Sequence, residues 1–204
     1  MNIPHRKRKV TYDIPGHAHF LTFSCFRQFP LLSKDRSRGW VVEAIQKARE
    51  LFDFDLWAYV FMPEHIHLLV HPRQESYSMG RILAALKRPV SCQARDFLAS
   101  TENDRWLERL TVQEGREKVF RFWQAGGGYD HNLWNDRPIR EVIDYIHANP
   151  VRRGLVAQTT DWFWSSARQW AGEGSGQMVI DPIVARSNTA ETAVAPAGFL
   201  PPSL

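Results

Sequence analysis

The residues with the most chemical potential in this chain are two histidines, His65 and His67, set two positions apart in the run Glu64 to His71. Their neighbours Ile66, Leu68, Leu69 and Val70 are apolar, so the stretch reads as a strand. Alternate strand side chains leave from one face, roughly 7 Å apart at the backbone. Two imidazoles at that spacing can reach one metal ion and leave positions open for oxygen ligands, water or a phosphate. A second pair lies far along the chain. Ile139, Val142, Ile143 and Ile146 recur at i, i+3, i+4 and i+7, the mark of an amphipathic helix, and Tyr145 and Asn149 share one shoulder of it. A hydroxyl and an amide oxygen are thereby paired. Taken singly, each pair has an ordinary reading: exposed strand histidines, a core-edge tyrosine, and an asparagine serving a helix end.

The elements that must position these groups can be read from hydrophobic periodicity. Alternation over His17 to Phe26 predicts a first, central strand. Trp40, Val41, Ala44, Ile45, Ala48 and Leu51 predict a helix over Lys34 to Phe52. Phe54 to Met62 reads as a strand, Pro63-Glu64 as a tight connection, and Ile66 to Val70 as the strand that carries the histidines. A helix from Ser78 runs through Ile82, Leu83 and Leu86, with a break or kink expected at Pro89 before Val90 to Leu98. Residues 100 to 118 read as an insertion or loop, Phe120 to Gln124 as a short strand, and Gly126-Gly127-Gly128 as a flexible connection. Pro138 is expected to open a helix over Ile139 to Asn149 and Pro150 to close it. The order β-α-β-β-α-β-α predicts an α+β domain, a ferredoxin-like antiparallel sheet with helices packed on one face. That domain is expected over 1–172, followed by an Ala/Pro/Ser/Thr-rich tail over 173–204 that is partly disordered.

Composition narrows the function class. Hydrophobic residues make up 44% and charged residues 24% of the 204, which are globular values, and no run approaches the roughly 18 apolar residues of a membrane span. No signal-peptide core follows the N-terminus, so a cytoplasmic protein is expected. Cys25 and Cys92 are too few for a disulfide framework or a cysteine zinc site and are expected to be free thiols. The formal charge is +4. The last 32 residues hold Glu173, Asp181 and Glu191 against Arg186 alone, so the basic excess lies in the body. Candidate phosphate-binding clusters are the arm Arg6, Lys7, Arg8 and Lys9, the pair Lys87 and Arg88, and the pair Arg152 and Arg153. The glycine triplet lacks the spacing of a nucleotide cradle. His71 is expected at the surface. His147 sits about 200° around the helix from Tyr145 and is expected to face solvent or DNA.

Pro63-Glu64-His65-Ile66-His67 resembles the His-hydrophobic-His motif of the HUH single-tyrosine DNA transposases. The segment from Tyr145 to Val156 resembles their catalytic helix in the version found in REP-associated tyrosine transposases. Phe122-Trp123-Gln124 and Trp164-Ser165-Ser166 resemble recurring segments of that group in the same order, so the resemblance covers about residues 12 to 172. It implies attack by Tyr145 on a single-stranded DNA phosphodiester to give a 5′-phosphotyrosine and a free 3′-hydroxyl. It also implies a metal held by His65, His67 and Asn149, Mg²⁺ or Mn²⁺, and a partner that is hairpin DNA from repetitive extragenic palindromes. The protein would act as a monomer or homodimer. Residues 101 to 118 and the glycine loop match no motif of the group. Two other readings compete. A zinc hydrolase of the His-x-His-x-Asp-His type would need an aspartate where Leu69 stands. A domesticated, non-catalytic hairpin-DNA-binding protein would keep the fold without the cleavage.

Overall fold

The computed structural model describes residues 12–183; the basic arm Arg6 to Lys9 and residues 184–204 lie outside the described residues. Four strands, β1 (Ala18–Ser24), β2 (Phe54–Phe61), β3 (His65–Pro72) and β6 (Tyr129–Leu133), form one antiparallel sheet in the order β2-β3-β1-β6. Helix α1 (Asp35–Phe52) joins β1 to β2, and α2 (Met79–Ser100) follows β3. A short helix, α3 (Asp104–Leu110), leads into a small hairpin of β4 (Thr111–Glu114) and β5 (Glu117–Phe120). Helix α4 (Asp136–Arg152) and a final turn of helix, α5 (Ala167–Trp170), complete the fold.

Strand alternation divides the core in two. Leu21, Phe23, Ile66, Leu68 and Val70 point to one face and are buried under α1 and α2. Ala18, Phe20, Val60 and Leu69 point to the other face and are buried under Ile139, Val142, Ile143 and Ile146 of α4. The expected α+β antiparallel architecture therefore forms, but its helices are not confined to one face: α1 and α2 cover one side and α4 the other, because Ala18, Phe20 and Leu69 make the second face apolar as well. An irregularity in β2 between Leu56 and Ala58 lets Trp57 and Ala58 both serve the α4 side. His65 and His67 share parity with Leu69, so they too face α4. That helix carries Tyr145 and Asn149.

Several boundaries differ from the sequence reading. Pro89 does not break α2: the helix runs through it to Ser100, held by buried Val90 and Ala94 beyond the proline. Pro138 is the third residue of α4, where a backbone N–H has no partner within the helix, so its lack costs nothing. Pro150 does not close α4, which continues to Arg152 and ends on Gly154 at φ +66°. There the Leu155 N–H bonds the Pro150 carbonyl and the Gly154 N–H bonds the Val151 carbonyl, a Schellman arrangement. Residues 101–118 are not a loop but hold α3, β4 and the first half of β5. Within Phe120 to Gln124, Phe120 ends β5 and Trp123 makes only an isolated bridge to Cys25, and the fourth strand of the main sheet is Tyr129–Leu133. Packing also continues beyond Gly172. Met178 is buried, and Asp181 Oδ2 accepts from Arg49 at 2.6 Å and from the Leu56 N–H at 2.8 Å. Among the described residues no helix is long and apolar enough to cross a membrane.

Candidate functional site

β3 pairs with β1 so that Thr22 lies opposite His67 and Ser24 opposite His65. Both imidazoles are buried. His65 Nδ1 donates to the Glu64 carboxylate at 3.1 Å, and His67 Nδ1 pairs with Thr22 Oγ1 at 2.7 Å. With the outer nitrogens engaged, the inner nitrogens turn toward each other: Nε2 of His65 and Nε2 of His67 are 3.1 Å apart. The Asn149 carboxamide closes the group, 3.0 Å from His67 Nε2. Tyr145, one helical turn earlier on α4, sets its ring 5.5 Å from that of His67 and 5.9 Å from that of Phe20. The structure thus brings together the four residues that the sequence pattern offered as two separate pairs.

Electrostatics reinforces this geometry. Burial, and then the neighbouring His65, holds His67 well below its ordinary range, so it is a neutral ring with a lone pair to offer. The hydrogen bond from His65, with the Arg153 guanidinium, holds Glu64 below the usual carboxylate range against the opposing effect of burial. Arg153 Nη1 reaches Glu64 Oε1 at 2.8 Å and so ties the end of α4 to the turn before β3. Arg152 lays its guanidinium over the Tyr145 ring at 5.2 Å.

The donor set fits a divalent cation. A separation of 3.1 Å matches two ligands at a right angle on an ion with bonds of about 2.1 to 2.2 Å. Two ring lone pairs facing each other are relieved by a cation between them, and the hydrogen bonds on both outer nitrogens hold the rings with Nε2 turned inward. The Asn149 amide offers nitrogen or oxygen by a half-turn of its terminal group. No three His, Cys, Asp or Glu side chains cluster for a metal among the described residues; the set is two imidazoles and an amide.

The remaining sequence candidates are distributed around the molecule. Lys87 is on α2, across the sheet from the histidines, and donates to the Gly126 carbonyl at 2.6 Å; burial, with the nearby Arg121, lowers its pKa to about 8. Arg88 is exposed on the same helix. His71 is not a free surface residue: it stacks on Trp57 at 4.8 Å and pairs with Asp55. His147 does not face solvent. It is buried, bonds Ser166 Oγ at 2.8 Å, and is neutral at pH 7 because burial lowers its pKa to about 4. Cys25 is buried and Cys92 exposed, both as free thiols. Thr22 and Glu64 carry orienting roles that the sequence reading did not assign. Glu64 sat inside the motif already, whereas Thr22 becomes visible only through strand register.

Comparison with known proteins follows the same lines. No family model matches the chain. A candidate REP-associated tyrosine transposase of Haemophilus influenzae is 26% identical over 149 residues, covering 68% of this chain and 77% of that protein. The REP-associated tyrosine transposase of Escherichia coli K12 is 27% identical over 137 residues, covering 64% of this chain and 65% of that protein. The chain is thus similar to REP-associated tyrosine transposases over about two thirds of its length. A solved REP-associated tyrosine transposase bound to a REP hairpin shares the fold, with a TM-score of 0.60 at 22% identity, over 89% of this chain and 96% of that one. On this shared fold His65, His67, Asn149 and Tyr145 converge on one face of the sheet.

Proposed function

We propose that this protein cleaves and rejoins single-stranded DNA beside a hairpin, with Tyr145 as the nucleophile. The observation that carries the reading is the Tyr145 ring held against His67, whose Nε2 turns to His65 and Asn149. The Tyr145 hydroxyl attacks the scissile phosphorus in line, the bond from phosphorus to the 3′-oxygen breaks, and the strand is left as a 5′-phosphotyrosine and a free 3′-hydroxyl. The phenol proton is released and the departing 3′-oxygen takes one up. Rejoining is the reverse displacement by a 3′-hydroxyl, and the phosphotyrosine retains the bond energy needed for it.

A phenol is a weak nucleophile near neutral pH, so charge on the phosphate must be met by other groups. His65, His67 and Asn149 would hold a Mg²⁺ or Mn²⁺ ion, which supplies Lewis-acid polarisation of a phosphate oxygen when bound. Mg²⁺ prefers oxygen ligands and Mn²⁺ accepts imidazole more readily, so both are candidates for this mixed set. Thr22 and Glu64 fix the two rings, Phe20 and His67 fix the tyrosine ring, and Arg152 and Arg153 bring positive charge to the same end of α4. A depression of about 400 Å³ lined by Ser24, Gln28, Pro30, Glu64, His65 and Arg153 opens beside the histidines. It offers the strand an approach.

The test is a denaturing gel after incubation with labelled hairpin DNA carrying single-stranded flanks, in Mg²⁺, Mn²⁺ or chelator. A covalent adduct that needs metal and disappears in Tyr145→Phe, while hairpin binding survives, is the expected result. Hairpin binding with no adduct under any condition would overturn it in favour of a non-catalytic DNA-binding protein.

A further inference from the structure

A groove of about 610 Å³ lies between the start of α1, the second half of α2 and α3. We propose that it binds unpaired nucleotides of the DNA strand leading away from the scissile phosphate, an inference that rests on the function proposed above. Four aromatic residues line it: Trp40, Phe97 and Trp106 are only partly buried, and Phe122 is buried. Arg36 lies over the Phe97 ring at 4.0 Å, and Arg109 over the Trp106 ring at 4.7 Å. Lys34 and Arg36 belong to the lining, and no carboxylate does. Ring faces accept any base by stacking, and cations beside them meet the phosphates between bases.

Charge and continuity favour this occupant. A purely apolar occupant would bury Lys34 and Arg36 without an anion, at a cost that a phosphodiester chain avoids. Pro30 lines both this groove and the depression that contains His65, Glu64 and Arg153. A strand leaving the tyrosine therefore passes over Pro30 and enters the aromatic groove without leaving the surface. The far wall comes from Asn103, Trp106 and Leu110, in the stretch that matches no motif of the family, so this subsite would belong to this chain's own elaboration of the fold.

The test uses the full chain and two labelled hairpins. One is trimmed close to the scissile phosphate; the other carries single-stranded extensions of about ten nucleotides on both sides, within the span of ordinary single-strand sites. The wild type is expected to bind the extended hairpin more tightly. Arg36→Glu, an exposed charge reversal that leaves the core intact, and Trp106→Ala should each weaken extended-hairpin binding about tenfold. Affinity for the trimmed hairpin and adduct formation on it should be unchanged, and Trp106→Phe should restore most of the loss. Variants that bind both hairpins like the wild type, or that lose affinity for both equally, overturn the proposal. If the wild type forms no adduct yet the variants still lose only the extension's contribution, the cleavage reading fails and the groove stands.

Discussion

Thr22 Oγ1 lies 2.7 Å from His67 Nδ1, across the β1–β3 register, and both residues are buried. A β1 hydroxyl thereby fixes the tilt of an imidazole on the next strand, with Nε2 turned into the site. Thr22→Val keeps the shape and removes the partner. We expect adduct formation to fall by about 10- to 100-fold, the usual cost of losing an orienting contact behind a ligand, and stability to fall by about 1 to 2 kcal/mol for the buried ring nitrogen left unpaired. Single-turnover rates on hairpin DNA and urea denaturation measure the two effects. An unchanged rate would remove Thr22 from the site.

Gly128 stands at φ +85°, and a Cβ built there would sit 2.3 Å from the Thr22 carbonyl oxygen and 2.9 Å from Phe23 Cβ. The glycine loop is thus a close-fitting strap against the strand that orients His67. Gly128→Ala forces β1 or the loop to move and imposes a left-handed conformation on a residue with a side chain. The expected outcome is a loss of at least about 2 kcal/mol, by comparison with other strained sites, together with slower adduct formation. Gly126→Ala, also at positive φ but with open space around its Cβ, is the control. It should cost less. Equal effects from the two would mean that the strap does not matter.

What the sequence reveals and what it hides follow one rule. Patterns set by a residue's own element were legible: period-two spacing put His65 and His67 on one face, and helical spacing put Tyr145 beside Asn149. Features set by a distant segment were not. The angle between His147 and Tyr145 on α4 was read correctly, yet Ser166 and Trp170 cover that flank, and nothing within the helix announces their return. Phe122 and Trp123 look like strand residues because they are aromatic, but core packing buries them with almost no ladder pairing. The true fourth strand, with Asp130, His131 and Asn132 in its middle, has a neighbour only on the β1 side and shows little hydrophobic alternation. Strands β4 and β5 are four residues each and largely exposed, too short for a period to emerge.

Tyr77 gives a pH test of the fold away from the cleavage chemistry. Its hydroxyl donates to the Ile14 carbonyl at 2.9 Å and pairs with His19 Nε2 at 2.7 Å, while His19 Nδ1 pairs with Asp130 at 2.8 Å. Burial, then the carboxylates of Asp13 and Asp130, pushes the phenol up to about 12. The fold therefore favours the protonated phenol. Its contribution is fully present below about pH 10, where the unfolded phenol is also protonated, and is lost as pH rises through about 12. Tyr77→Phe should cost about 1 kcal/mol at pH 8, and the gap between variant and wild type should narrow steadily from pH 10 upward. Paired denaturation curves at pH 8, 10 and 11 measure it, and the subtraction cancels the other tyrosines. A gap that stays constant with pH would show that the Tyr77 phenol ionises as readily in the folded protein as in the unfolded chain.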